Sequence, residues 1–136
     1  MNNNVCMIAH RGFSASYPDN TEIAFIKAAE NGSGGAETDV RITKDGILVT
    51  NHNDEVVFID GTELLVAEAT YEELTTKPLR NTKSDDTVYL CTFKRYLEIM
   101  KENQTLSSIT TDILTKMHEI FLNENPDLIL VHGDKN

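Results

Sequence analysis

Positive charge is scarce in this sequence: 12 Lys and Arg stand against 22 Asp and Glu, a formal net charge of −10. With a pI near 4.7, broad attraction to a nucleic-acid backbone or an anionic membrane is excluded as an organising principle, although a local cationic pocket is not. Long apolar runs are also missing. The longest are a handful of residues, against the ~20 needed to span a bilayer, so no transmembrane segment is expected. The opening Met1-Asn2-Asn3-Asn4 lacks the basic flank and apolar stretch of a signal peptide, and the cytoplasm is the expected compartment. Only two cysteines occur, Cys6 and Cys91, each among apolar neighbours. They read as reduced, buried thiols, neither a disulfide framework nor a metal-ligand pair. There is no internal repeat and no low-complexity tract.

What is present is an apolar content of 40% over 136 residues, enough for one core of ordinary domain size and hardly for two. The first hundred residues alternate strand-like and helix-like segments, the pattern of an α/β protein. Val5 to Ala9 is a short apolar run that ends at His10-Arg11-Gly12, a buried strand feeding a functional loop. Pro18-Asp19-Asn20-Thr21 supplies turn residues and a cap. Ala24, Phe25, Ala28 and Ala29 then form one face of a helix that stops near Asn31-Gly32.

The stretch Ala36 to Thr43 alternates strictly, so Glu37, Asp39 and Arg41 share one strand face and Thr38, Val40 and Ile42 the other. Asp45-Gly46 separates it from the apolar run Ile47 to Thr50 and signals a hairpin. As a two-residue turn it would pair residues whose numbers sum to 91, setting Lys44 opposite Ile47, Val40 opposite Asn51 and Asp39 opposite His52. Beyond Glu55 the pattern is weaker. Thr70 to Glu73 reads as a capping box for a short helix ended by Pro78, and Thr92 caps a clearer helix with Phe93, Tyr96, Leu97 and Met100 on one stripe. Residues 106–123 read as a second long amphipathic helix, and after Pro126 the run Asp127 to Val131 reads as a buried strand ending at His132-Gly133-Asp134.

His10, Arg11, Glu37, Asp39 and His52 are the groups able to carry chemistry together. Two carboxylates on one face suit a hard cation such as Mg2+ or Ca2+, and like charges two residues apart repel unless something cationic lies between them. Two histidines titrate near working pH and suit general acid and base roles. An arginine holds phosphate bidentately. These are the parts of metal-assisted phosphodiester cleavage. Taken singly, each residue is more often structural: a histidine after a strand is usually a hydrogen bonder, and an acid on an exposed face is usually solvated.

In order and spacing, Ile-Ala-His-Arg-Gly (8–12), Pro-Asp-Asn-Thr (18–21), Glu-Thr-Asp-Val (37–40), Thr-Lys-Asp-Gly (43–46) and Val-Thr-Asn-His (49–52) resemble the N-terminal part of glycerophosphodiester phosphodiesterases. The resemblance covers about residues 5–103. It implies a (β/α)8-barrel hydrolase that cleaves a glycerophosphodiester to glycerol 3-phosphate and an alcohol with a divalent metal, Mg2+ or Ca2+. By position it makes His10 and His52 the acid/base pair, Arg11 the phosphate contact, and Glu37 and Asp39 two metal ligands. It also implies a third metal carboxylate, in a segment like Ile-Glu-Leu-Lys after the helix that starts at Phe93; this sequence has none. Asp19-Asn20 stands where the family usually has Glu-Asn, and His52-Asn53 where it has His-Asp.

From Gln104 the sequence resembles a different family. Residues 104–121, followed by Asn125 to Asp134, are similar to non-hydrolysing UDP-N-acetylglucosamine 2-epimerases ahead of their His-Gly-Asp-Thr motif, with Lys135 departing from it. That alternative centres on His132 and Asp134. The expected architecture is therefore an α/β chain: an incomplete (β/α)8-barrel, made of the first βα units plus a β-hairpin over 1–103, with an added helix and strand over 104–136. A full barrel needs at least ~200 residues. Metal binding and hydrolysis are thus expected to be impaired, an unpaired sheet edge to invite self-association, and a non-catalytic fusion product is the remaining alternative.

Overall fold

The structure is a computed structural model that describes residues 7–103 and, as backbone, residues 129–134. Strand β1 (Ile8–His10) lies parallel to β2 (Gly35–Ile42), with Ile8 opposite Gly35 and His10 opposite Glu37. Helix α1 (Glu22–Glu30) joins them. Thr21 starts it as expected, its hydroxyl oxygen accepting the Ala24 N–H at 3.4 Å while donating to the Pro18 carbonyl at 2.6 Å. Asn31 closes the far end, and Gly32, at φ +77°, turns the chain out of the helix.

Helix α1 buries Ala24, Phe25 and Ala28. The Phe25 ring meets Tyr96 edge-on at 4.8 Å, and the Tyr96 hydroxyl donates to the Ala36 carbonyl at 2.6 Å, which ties helix to helix and both to β2. The small residue at position 24 allows a closer approach still. Gly12 lies so near that a Cβ there would stand 2.7 Å from the Ala24 backbone carbon, and its φ of +81° already favours glycine.

The Asp-Gly hairpin forms, but one residue longer than the two-residue turn assumed. In β3 (Leu48–Thr50), Thr50 stands opposite Val40, Val49 opposite Arg41 and Leu48 opposite Ile42. Thr43 N–H bonds to the Ile47 carbonyl at 2.9 Å and Gly46 N–H to the Thr43 carbonyl at 3.0 Å, enclosing a three-residue loop. A two-residue turn of the favoured type needs positive φ at both central residues; here only Gly46 has it, at +82°. Asp39 therefore faces Asn51, whose N–H bonds to the Asp39 carbonyl at 3.1 Å, and not His52. Lys44 sits within the loop rather than opposite Ile47.

A second Asp-Gly loop, not anticipated, repeats the design. Phe58 N–H bonds to the Thr62 carbonyl and Gly61 N–H to the Phe58 carbonyl, each at 2.9 Å, joining β4 (Glu55–Val57) to β5 (Glu63–Leu65). A 3-10 turn (Val66–Glu68) follows, and then α2 (Tyr71–Leu74), which opens with the expected capping box. Thr70 accepts the Glu73 N–H at 3.3 Å and Glu73 accepts the Thr70 N–H at 2.8 Å. The helix ends at Leu74, ahead of Pro78. Val49, Val56, Phe58, Val66, Leu74 and Leu90 form a core of their own beside the main one. Helix α3 (Phe93–Asn103) begins where expected, with Arg95 N–H on the Thr92 hydroxyl at 3.1 Å.

Strand β6 (Ile129–Asp134) lies antiparallel to β2 and extends through His132-Gly133-Asp134, where the sequence pattern ended the strand. Glu37 is opposite both His10 and His132, and Val40 is opposite both Thr50 and Ile129. A strand has two edges, so β1 and β3 lie end to end along one edge of β2 and β6 runs along the other. The expected helix over 106–123, and Cys6, lie outside the described residues. Cys91 is buried, and burial pushes its thiol up to about 12, in keeping with a reduced structural cysteine. Among the described residues no helix is long and apolar enough to cross a membrane.

Candidate active site

The site starts at the end of β1, where Arg11 takes a left-handed backbone conformation at φ +57°. Asn20, at φ +58°, does the same at the other end of the loop, and its N–H closes the loop on the Arg11 carbonyl at 3.0 Å. Non-glycine residues rarely sit there, Asn more readily than most. The Arg11 conformation aims its backbone N–H at Glu37, whose Oε2 accepts it at 3.1 Å. The same oxygen lies 3.7 Å from His10 Nε2, on an imidazole that is 69% exposed and free to meet a ligand from solvent.

Asn20 organises the neighbouring carboxylate. Buried itself, it accepts the Thr38 hydroxyl at 2.8 Å, donates from Nδ2 to Asp39 Oδ2 at 3.0 Å, and offers its carbonyl to the Thr50 hydroxyl at 2.8 Å. Asp39 is only 1% exposed. Such a charge requires a partner, and Arg11 Nε stands 3.3 Å from Asp39 Oδ2, an ion pair whose angle falls outside a hydrogen bond. The other arm of that guanidinium donates from Nη1 to Asp19 Oδ2 at 3.2 Å, and Lys83 Nζ meets Asp19 Oδ1 at 2.7 Å. Burial would raise the Asp19 carboxyl, but hydrogen bonds from Lys83 and Arg11 outweigh it and hold the group below its ordinary value.

The structure thus brings together four of the five residues expected from the sequence: His10, Arg11, Glu37 and Asp39. The fifth, His52, is attached to the same strand face by its backbone. Its carbonyl accepts Arg41 Nε at 3.1 Å and Nη2 at 2.6 Å, and Arg41 follows Glu37 and Asp39 along that face of β2. The exposed imidazole meets Asn53 through Nδ1 at 3.1 Å. A pocket of about 380 Å3 has Asp19, Asn51, Asn53, Glu55 and Arg80 in its wall, so the residues on either side of His52 line it while His52 itself does not. In the backbone of β6, His132 stands opposite Glu37 and Asp134 opposite Gly35.

Glu37 and Asp39 each have one carboxylate oxygen engaged within the protein, which leaves two oxygens on one face for a hard cation. This fits a weakly held ion. Among the described residues no three His, Cys, Asp or Glu side chains are grouped to hold a metal.

Reading the sequence did not find Asp19, Asn20, Arg41 or Lys83 as parts of the site. For Asn20 a signal exists, since asparagine in a turn between two chemistry-bearing segments is the residue that tolerates a left-handed conformation. Lys83 reaches Asp19 across 64 positions, and no local pattern carries that.

Residues 10–126 match the model of the Glycerophosphoryl diester phosphodiesterase family. The chain belongs to this family. A glycerophosphodiester phosphodiesterase of Bacillus altitudinis is 46% identical over 68 residues, half of this chain and 28% of that protein. The crystal structure of a glycerophosphodiester phosphodiesterase from Thermotoga maritima aligns with a TM-score of 0.57 at 35% identity, over 72% of this chain and 40% of that one. The chain therefore spans well under half of the phosphodiesterases it matches. A candidate UDP-N-acetylglucosamine 2-epimerase of Clostridium acetobutylicum is 55% identical over 38 residues, 28% of this chain and 10% of that protein.

Proposed function

We propose that the chain is a metal-dependent phosphodiester hydrolase centre, built on the opening part of a (β/α)8-barrel, that cleaves glycerophosphodiesters to glycerol 3-phosphate and an alcohol. The observation that carries this is the convergence on Glu37: the Arg11 backbone N–H at 3.1 Å, His10 at 3.7 Å, and the Arg11 guanidinium running on to Asp39 at 3.3 Å. Family membership supports the same chemistry.

In this reading Glu37 and Asp39 would hold Mg2+ or Ca2+, which supplies Lewis-acid activation of the phosphoryl oxygens. Arg11 presents the substrate phosphate with the N–H groups not spent on Asp19 and Asp39, since a guanidinium carries five. His10, exposed beside Glu37, exchanges a proton at Nε2, and Glu37 stabilises the imidazolium that results. His52 takes the complementary proton transfer, with its main chain fixed by Arg41. With no third carboxylate beside Glu37 and Asp39, the cation would be weakly held and turnover would be lower than in relatives that carry one.

We further assign residues 1–103 to the phosphodiesterase-like unit and 104–136 to an epimerase-like helix and strand; a 38-residue stretch 55% identical to an epimerase supports an epimerase-like piece, while the phosphodiesterase family model runs on to residue 126, past this boundary. A compartment without a disulfide requirement, the cytoplasm, suits Cys91. Among the described residues β1 pairs only along its β2 edge, and that free edge is the surface through which copies would self-associate. The test of the hydrolase is release of glycerol 3-phosphate with and without added Mg2+ or Ca2+, beside His10→Ala. Metal-stimulated release that the substitution abolishes supports it; release that survives His10→Ala belongs to a contaminant and refutes it.

A further inference from the structure

The pocket of about 380 Å3 carries two charged side chains that the site does not use, Glu55 and Arg80. Neither side chain has a hydrogen bond or ion pair among the described residues, whereas the other three arginines, Arg11, Arg41 and Arg95, each hold a carboxylate. The Arg80 N–H bonds to the Val57 carbonyl at 3.0 Å and Phe58 stands opposite Leu79, so Arg80 faces Val57 across an antiparallel pair. Glu55 lies two residues along β4 from Val57, on the same strand face. Diagonal positions of this kind are about 7–8 Å apart. Opposite charges at that spacing, not paired with each other, leave room for a small group between them.

Two of the lining residues tie this pocket to the site. Asp19 is bonded to Arg11, the phosphate contact of the proposed hydrolase, and its charge is already engaged by Arg11 and Lys83. Asn53 meets His52 Nδ1 at 3.1 Å. A diester whose phosphate rests on Arg11 therefore has this pocket as the neighbouring space for one of its two arms. Glycerol, being uncharged, would leave Glu55 and Arg80 unmatched. We propose that the pocket takes the alcohol arm, and that Glu55 and Arg80 select an alcohol bearing both an ammonium and a carboxylate. The ammonium meets Glu55, and the carboxylate meets Arg80, whose planar fork matches it. No Phe, Tyr or Trp stands among the described lining residues, so the aromatic cage that suits a quaternary ammonium is missing there. The proposal rests on the hydrolase reading for the position of the phosphate and extends it to a substrate class.

The experiment measures kcat/KM for glycerol 3-phosphate release by the full chain from three glycerophosphodiesters, those of serine, ethanolamine and glycerol, with Mg2+ present. It compares the parent with Arg80→Gln and Glu55→Gln. The parent is expected to prefer the serine diester over the ethanolamine one, and that over the glycerol one. Arg80→Gln should lower the serine diester alone, by about tenfold, which is what one charge-assisted hydrogen bond contributes, and Arg80→Lys should recover part of the loss. Glu55→Gln should lower the serine and ethanolamine diesters and spare the glycerol one. Equal rates for the three diesters in the parent overturn the proposal, as does a uniform fall across all three in either variant, the result of a merely structural role. If the folded parent releases no glycerol 3-phosphate, the hydrolase reading ends and titration calorimetry with the intact serine and glycerol diesters decides the pocket. Tighter binding of the serine diester that Arg80→Gln removes supports it there, and equal binding refutes it. Release that ignores both substitutions keeps the hydrolase and ends the pocket.

Discussion

The Asn51 N–H bonds to the Asp39 carbonyl at 3.1 Å, so the residue facing the buried carboxylate is an amide and not the histidine that follows it. The cause lies six residues away, in a loop that spends three residues on the turn and uses Gly46 alone in the left-handed region. Replacing Gly46 by Ala should cost about 1–2 kcal/mol, the penalty of a Cβ in that conformation. Chemical denaturation measures it. An unchanged midpoint would mean the loop turns in another way.

Gly12 combines the same backbone conformation with a steric limit. Gly12→Ala should destabilise by about 2–4 kcal/mol, the left-handed penalty plus overpacking against the Ala24 backbone at 2.7 Å. Gly32→Ala, at φ +77° with nothing within 4 Å of the added carbon, should cost only the first part. The difference between the two denaturation midpoints isolates the contact.

How much of this was legible beforehand depended on whether the signal was local. The alternation from Ala36 to Thr43 set Glu37 and Asp39 on one face, and the caps at Thr21, Thr70 and Thr92 stood where side-chain chemistry demanded them. The turn was misread by one residue because Asp-Gly serves both two-residue and three-residue loops, and only the φ of the residue before the glycine separates them. The hairpin of β4 and β5 carries the same Asp-Gly signal at Asp60-Gly61, but β5 is exposed along its whole length, and Leu64 and Leu65 show no alternation to mark a strand. Contacts such as Asp19 with Lys83, and the antiparallel docking of β6 on β2, join segments far apart in sequence and leave no periodic trace.

Acid should unfold the chain partly through Asp19. Its folded pKa is depressed, with the bonds from Lys83 and Arg11 outweighing burial, so its contribution is present above the unfolded value of 3.8 and is lost as pH falls through the folded value. Between about pH 6 and about pH 3, Asp19→Asn should lose less stability than the parent. Parallel pH profiles for the two chains would refute the pairing. The side chain is more than one-third exposed, so the effect is modest.

Cys91 should resist alkylation in the native chain. With burial raising its thiol to about 12, almost no thiolate exists near neutral pH. In a Cys6→Ser background, iodoacetamide at about pH 8 should label the folded protein far more slowly than the guanidinium-unfolded one. Equal rates would place Cys91 at the surface.

The central claim, that the groups gathered on Glu37 form a working hydrolytic centre, is tested most directly by glycerol 3-phosphate release in the parent and in Glu37→Gln at the same metal concentration. Glutamine keeps an oxygen for the Arg11 N–H but loses the charge that holds a cation and steadies a protonated His10. Release by the parent, falling by about 100-fold or more in Glu37→Gln, is the predicted result. No release by the folded parent, or equal release by both chains, would contradict it.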